Sequence, residues 1–341
     1  MTFVNAFSLA SATPRRETGF MKAAVLHGPD QAPRYEQVSD PVAGAGEEIA
    51  RVLAASLKNI DRAIASGRHY HAGPAEWPRL VGMDGVVQME DGSRFYTGGR
   101  PGFLAERAVV SRGFAVPVPQ GLDPAVAAAL PNPGLAAWFA LHGKADFKRG
   151  ETLLVLGATG VSGRLAVAFA RDAGAGHIIA AGRNPALLEA LPGLGANQAV
   201  SLAGSDSDVR AALQEAVSAH HVDLVVDYLW GRPAEMLLDV MGGNDLNAEA
   251  RRTRYLQVGS MAGRSITLKA DILRSAEIEV FGQGGGSVAK NVQEKGPEVL
   301  AQLFARALEG QLPLEVEALP LSEVETAWNR DSRGRRVVFR P

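Results

Sequence analysis

The 341-residue chain contains no cysteine. Disulfides, thiolate metal ligands and cysteine nucleophiles are therefore excluded together. Neither sign of charge is in excess: 35 Lys and Arg stand against 37 Asp and Glu, a formal net charge of -2. Surfaces built for nucleic acid or an anionic membrane concentrate basic residues, so neither partner is expected. The densest basic cluster, Arg251, Arg252 and Arg254, reads as a solvated loop. Long apolar runs are missing as well, because Pro, Gly or a charge interrupts every stretch before the roughly 18 residues that a membrane span needs. The 46% hydrophobic and 21% charged residues are those of an ordinary globular protein. A soluble protein is expected, and the heavy use of Ala, Gly and Arg fits a GC-rich bacterial genome and a cytoplasmic location. Residues 1–20 carry Ser, Thr and Arg with a single acid. They are read as an extended start or disordered tail, with a transit peptide as the alternative.

The length suggests two domains, at roughly 100 to 200 residues each. From Met21 to about Pro119, short apolar segments such as KAAVLHGPD and ERAVVSRGFAVPV are bounded by Gly and Pro, the pattern of a compact β-rich unit. An Ala-rich helical stretch broken at Pro131 and Pro133 then reads as a hinge. From Glu151 strands alternate with helices of about 10 to 15 residues, which implies a parallel sheet covered on both faces. The closing RRVVFRP reads as a strand that returns to the first unit.

Within TLLVLGATGVSGRLAVAFA a buried strand runs into Gly157, Ala158, Thr159, Gly160, Val161, Ser162 and Gly163, and a helix follows at once. Glycines at this spacing permit a tight turn and close backbone approach to a pyrophosphate, while the helix N-terminus offers N–H groups and partial positive charge. A dinucleotide is the expected ligand, set against a purely structural turn. The next strand, HIIAAG, is followed by Arg183 and Asn184. A cofactor with a free ribose 2′-hydroxyl usually meets Asp or Glu here, whereas Arg suits a 2′-phosphate. NADPH is therefore expected over NADH; the plainer reading makes Arg183 an exposed helix-start residue.

The order MKAAVL, LKNIDRAIASG, LVGMDGVV, GFLAERAVV, GATGVSG, VDLVVDY, QVGS and GRRVVF resembles the medium-chain dehydrogenase/reductase superfamily, in particular its zinc-free quinone oxidoreductase branch, over nearly all of Met21 to Pro341. The resemblance implies an α/β fold with two parts: a β-rich GroES-like catalytic domain, residues 21–134 and 286–341, and a doubly wound parallel-sheet Rossmann domain, residues 135–285. Zinc-containing members use Cys and a Gly-His-Glu segment, where this chain has Met83, Asp84 and no Cys, so no metal is expected. His69 and His71 are read as cleft lining or surface, and His220 and His221 as solvated residues ending a helix. Matching the branch's Asn-Pro-x-Asp segment on Asp61 places Lys58 where Asn usually stands, with Asn59 beside it and Gly67 and Tyr70 downstream. Either Asn59 or Lys58 then donates to the substrate oxygen. Tyr70 donates to a carbonyl or packs, and Asp61 caps the helix DRAIAS. By the same resemblance Tyr228, then Val258, Gly259 and Ser260, then Phe281, Gly282 and Gln283 complete the cofactor site at strand ends. Gly284 to Gly286 read as a flexible turn.

The implied reaction is zinc-independent hydride transfer from NADPH to a quinone or to the β-carbon of an activated enone or enal, with the proton from solvent. A homodimer through an edge strand around Phe281 follows by analogy. The alternative is a non-catalytic NADPH-binding protein, crystallin-like or redox-sensing. A short-chain dehydrogenase is disfavoured, because about 130 residues precede the turn and no Tyr is followed by Lys four places on.

Overall fold

The computed structural model describes residues 19–67, 69, 76–111, 113–243 and 250–341. Residues 1–18, Tyr70 and His71 lie outside them. The first half of the chain supplies β1 (Phe20–Leu26), β2 (Arg34–Ser39), β3 (Glu47–Ser56), β4 (Arg79–Leu80), β5 (Asp84–Gln88), β6 (Arg94–Gly98), β7 (Arg107–Ser111) and β8 (Ala115–Pro117). The pattern of short runs and turns becomes two sheets. One has the order β2-β1-β4, and the other builds on β3, which pairs antiparallel with β5 and β7. Strand β3 alternates Ala50, Val52 and Ala54 inward with Arg51 outward, as a sheet with one packed face requires.

From Thr152 the rhythm changes to β9 (Thr152–Leu156), β10 (His177–Gly182), β11 (Gln198–Ser201), β12 (Leu224–Asp227), β13 (Thr253–Gln257) and β14 (Ile278–Gly282). All six run parallel in the order β11-β10-β9-β12-β13-β14, with the reversal of strand order beside β9. That reversal opens a crevice at the carboxyl ends of β9 and β12, where open α/β sheets bind ligands. Leu153 and Val155 pack on one face with the helix Val161–Asp172, while Leu154 and Leu156 face the helices Asp206–Ala219 and Gly231–Met241. The last strands, β15 (Val316–Pro320) and β16 (Arg336–Arg340), pair in parallel, and β16 joins β3 antiparallel. The C-terminus thus closes the sheet that the N-terminal half began. No helix of the described residues is long and apolar enough to cross a membrane.

Two expectations change. Pro131 does separate two helices, Pro124–Ala129 and Pro131–Trp138, but Pro133 sits in the first turn of the second, where a missing N–H has no intrahelical acceptor to lose. Arg254 is no solvated loop residue: it lies in β13 with its side chain 13% exposed, donating to Ala145 O at 2.5 Å and pairing with Glu151 at 2.6 Å. Arg252 does stay at the surface, paired with Glu279.

At the amino end of the parallel sheet, His177 stacks on His220 with ring centroids 3.8 Å apart, and His177 Nε2 is buried without a hydrogen-bond partner among the described residues. His220 is therefore a stacked residue as well as the end of its helix. Burial, then the neighbouring imidazole, pushes the His177 value down. A depressed histidine binds its proton more readily when unfolded, so stability is lost as pH falls below the unfolded value of about 6.5. The loss levels off below the folded value. His177→Phe keeps the stacked ring and removes the proton site, and its melting temperature is expected to fall less than wild type's between pH 7 and pH 5. Parallel curves would exclude His177 as the source.

Candidate active site and cofactor crevice

The turn after β9 is shaped by glycines for identifiable reasons. Gly157 has φ +87°, a left-handed conformation that side chains resist, and its N–H donates to Ala181 O at 2.9 Å. At Gly163 a Cβ would lie 2.2 Å from Gly157 O and 2.6 Å from Ala158 Cα, so the helix rests directly on the turn. The first helical bond runs from Arg164 N–H to Gly160 O, which leaves the N–H groups of Val161, Ser162 and Gly163 at the helix start. Ala158 and Val161 pack into the core and offer only backbone, whereas Thr159, Gly160 and Ser162 reach the surface.

Arg183, at the end of β10, is exposed. Asn184 is committed to its own helix, its Oδ1 accepting from Leu187 N–H at 3.2 Å. A residue missed from the sequence arrives beside them. The loop before β16 carries Arg333, exposed and at φ +49°, followed by Gly334, where a Cβ would meet Leu187 Cδ1 at 2.5 Å and Thr159 O at 3.3 Å. Arg164, only 4% exposed, anchors this loop through Glu315 at 2.6 Å and Gly334 O at 2.5 Å. The arginine-rich SRGRR was the visible signal; the fold that carries it back to the glycine turn was not.

At the end of β12, Asp227 is fully buried and accepts from Leu229 N–H (2.7 Å), Trp230 N–H (2.9 Å) and the Tyr255 hydroxyl (2.9 Å). Burial pushes its carboxyl above the ordinary range, against those three bonds. They hold Trp230 at φ +55°, a strained setting for a large side chain. Tyr228 is 8% exposed, its hydroxyl has no hydrogen-bond partner among the described residues, and burial pushes the phenol up. Val258 and Gly259 donate to Asp227 O, and a Cβ on Gly259 would lie 2.5 Å from Tyr228 O. A cavity of about 440 Å³ at the ends of β13 and β14 is lined by Trp230, Gln257, Ser260, Arg264, Val280, Phe281 and Gly282. Gln283 donates to Ala136 O at 2.8 Å and ties this end of the sheet to the helix Pro131–Trp138. The glycine cradle, the exposed guanidinium beyond β10 and the unpaired Tyr228 hydroxyl together fit a phosphorylated dinucleotide laid across the strand ends.

On the other side of the cleft the helix begins at Asn59, earlier than the sequence suggests. Lys58 is its N-cap, and Asp61 is its third residue, accepting from Lys58 N–H at 2.8 Å and Met83 N–H at 3.1 Å. Asp61 is therefore an internal partner of the cap and not the cap itself. The Lys58 ammonium is 1% exposed and has three acceptors: Asp84 Oδ1 at 3.0 Å, Ser56 O at 3.1 Å and Asp61 Oδ2 at 3.2 Å. Burial pushes it down, but the two carboxylates outweigh burial and leave it above its ordinary value. With all three donors committed, Lys58 does not present itself to a substrate, which corrects one of the two expected roles. Asn59 is the exposed one of the two, its Nδ2 3.1 Å from Met261 Sδ in the loop after β13. Among the described residues no three His, Asp or Glu side chains gather as a metal site.

No protein-family model matches the chain. It is 30% identical over 353 aligned positions to the probable NADPH-dependent quinone reductase tdiC of Emericella nidulans, covering 91% of this chain and 96% of that protein. It is 27% identical to erythronolide synthase EryA2 of Saccharopolyspora erythraea over 237 positions, which is 69% of this chain but 6% of that much longer protein. The quinone oxidoreductase of Thermus thermophilus, solved also in complex with NADPH, superimposes with a TM-score of 0.76 at 29% identity, covering 94% of this chain and 100% of that one. With the six-stranded parallel sheet, the β-rich unit closed by the C-terminal strand and the glycine turn between them, this chain belongs to the medium-chain dehydrogenase/reductase superfamily, in its quinone oxidoreductase-like branch.

Proposed function

We propose that the protein is a zinc-independent NADPH-dependent reductase of a quinone or an activated enone or enal, with residues 135–285 as cofactor domain and residues 21–134 and 286–341 as catalytic domain. The observation that carries the cofactor choice is Arg183, an exposed guanidinium at the strand end where a 2′-hydroxyl reader would be acidic. When bound, the nicotinamide supplies the hydride. The chain's own work is to bind and orient. The N–H groups of Val161, Ser162 and Gly163 receive the pyrophosphate, Arg183 and Arg333 face the 2′-phosphate, and the ends of β12 to β14 hold the nicotinamide half through Tyr228, Val258, Gly259, Ser260, Phe281 and Gly282. Asn59 supplies a donor on the opposite wall. Because β14 is an edge strand with Val280 38% exposed, pairing of two copies along it is part of the proposal.

Arg183→Ala is expected to weaken NADPH binding about tenfold while leaving NADH binding within twofold, at the scale of one charge-assisted contact. Fluorescence titration with both nucleotides reads this directly. An unchanged ratio would remove Arg183 as the phosphate reader. Steady-state NADPH oxidation across a panel of quinones and enals tests the reaction. A second reading, cofactor binding without catalysis, is favoured by the burial of Lys58 where the branch places a donor. Tight NADPH binding with no turnover on any panel member would decide for it.

A further inference from the structure

Asn59 lies in the first turn of its helix, and two contacts fix its amide. Its Oδ1 accepts from Arg62 Nη1 at 3.1 Å, and its Nδ2 lies 3.1 Å from Met261 Sδ, in the loop that follows β13 on the far side of the cleft. The orientation of an amide follows from its partners. A guanidinium has donors only, so the atom facing Arg62 is the oxygen and the amide nitrogen must face Met261. Arg62 is itself held, its Nε donating to Trp328 O at 2.6 Å. Lys58, buried and capping the helix, fixes the backbone from which Asn59 projects.

A thioether is a weak acceptor, so the Asn59 donor is parked across the cleft on a poor partner. An oxygen entering between the helix and the loop is a better one. Met261 is 61% exposed and offers a polarisable, rotatable surface suited to a flat apolar ring. We propose that Arg62 is the positioning residue that turns the Asn59 amide nitrogen toward the carbonyl oxygen of the hydride acceptor, and that Met261 is the partner which that oxygen displaces. The proposal rests on the reductase reading. Hydride addition to the acceptor's ring carbon or β-carbon moves the carbonyl π electrons onto oxygen, which is protonated from solvent. Asn59 gives that oxygen a hydrogen bond, not a proton, and the bond strengthens as charge develops.

Asn59→Asp is the decisive variant, since it keeps an oxygen for Arg62 and removes the N–H. Its kcat/KM for the acceptor is expected to fall at least tenfold, with NADPH affinity within twofold of wild type. Arg62→Met is expected to raise acceptor KM severalfold with partial rescue in Arg62→Lys, and Met261→Leu to lower that KM about twofold. Independently of turnover, the side-chain amide ¹H–¹⁵N resonance of Asn59, identified by its loss in Asn59→Asp, should shift when a quinone is added to the NADP⁺-bound protein. An Arg62→Met variant equal to wild type in acceptor KM would overturn the proposal, as would an Asn59→Asp variant equal to wild type in acceptor kcat/KM. So would one that loses NADPH affinity more than acceptor kcat/KM. If wild type turned over no acceptor while the Asn59 resonance still shifted, the reductase reading would fall and the carbonyl subsite would stand.

Discussion

Gly163→Ala is expected to weaken NADPH binding by roughly a hundredfold, at about 1.4 kcal/mol per tenfold, and to lower unfolding free energy by about 3 kcal/mol, the upper end for overpacking. The reason is the identity of the atoms in the way. A single methyl group would stand 2.2 Å from Gly157 O and 2.6 Å from Ala158 Cα, both backbone. A flexible side chain could swing aside; a peptide plane in a turn already at φ +87° cannot, so either the helix withdraws or the turn opens. Both movements pull the N–H groups of Val161 and Ser162 away from the proposed phosphate position. Gly193 is the control, because nothing lies within 4 Å of its added Cβ and it sits inside the helix Pro185–Leu194. Gly193→Ala should leave NADPH affinity unchanged and stabilise by about 0.5 to 1 kcal/mol. Equal NADPH affinity in Gly163→Ala and wild type would show that the turn is not the cofactor site.

Lys58→Met is expected to destabilise the protein by about 3 to 5 kcal/mol, the usual result of removing one partner from a buried ion pair. Asp61, 3% exposed, and Asp84, whose side chain is 16% exposed, would then face each other without the ammonium between them. Burial already holds the Asp84 carboxyl above its ordinary value, opposed chiefly by Lys58. Without the lysine it rises further. A carboxyl raised on folding stabilises the native state below its unfolded value, and that contribution is lost as pH climbs through the folded value. The deficit of Lys58→Met should therefore be largest near neutral pH and narrow on acidification. Adding Asp84→Asn should recover part of it at pH 7, because the neutral amide removes the like-charge repulsion and keeps an acceptor for the Tyr96 hydroxyl that now donates to Asp84. Urea titrations of wild type and the two variants at two pH values read all of this. A loss below 1 kcal/mol at pH 7 would mean that the buried network contributes little.

The sequence made the parallel sheet and its turn legible because they are local. A buried strand, three glycines and an Ala-rich helix lie within about twenty residues, and each choice serves the same backbone path. The β-rich unit was legible as a class, although the partners of its strands were not. Which of Lys58 and Asn59 faces the cleft was not legible, since neighbouring helical residues point about 100° apart and the answer depends on where the helix starts. The pattern DRAIAS suggested a start at Asp61, whereas the backbone enters the helix at Asn59 and turns Lys58 inward. Arg254 was misread for a related reason: three arginines within four residues look solvated, but β13 alternates faces and carries the third toward Glu151. Arg333 depended on a chain return from more than 150 residues beyond the glycine turn, which no local signal announces.

That return has a consequence for biosynthesis. Strand β3 takes β16 as neighbour through Ser56 and Ala55, opposite Val338 and Phe339, and among the described strands β15 pairs with β16 alone. A ribosome therefore delivers the entire parallel sheet, from β9 to β14, before it delivers the strand that completes the sheet begun by β3. During that interval the nascent β-rich unit carries an open hydrogen-bonding edge, while the later-made unit already has its six described strands. The amino-terminal half of the polypeptide is synthesised first and finished last.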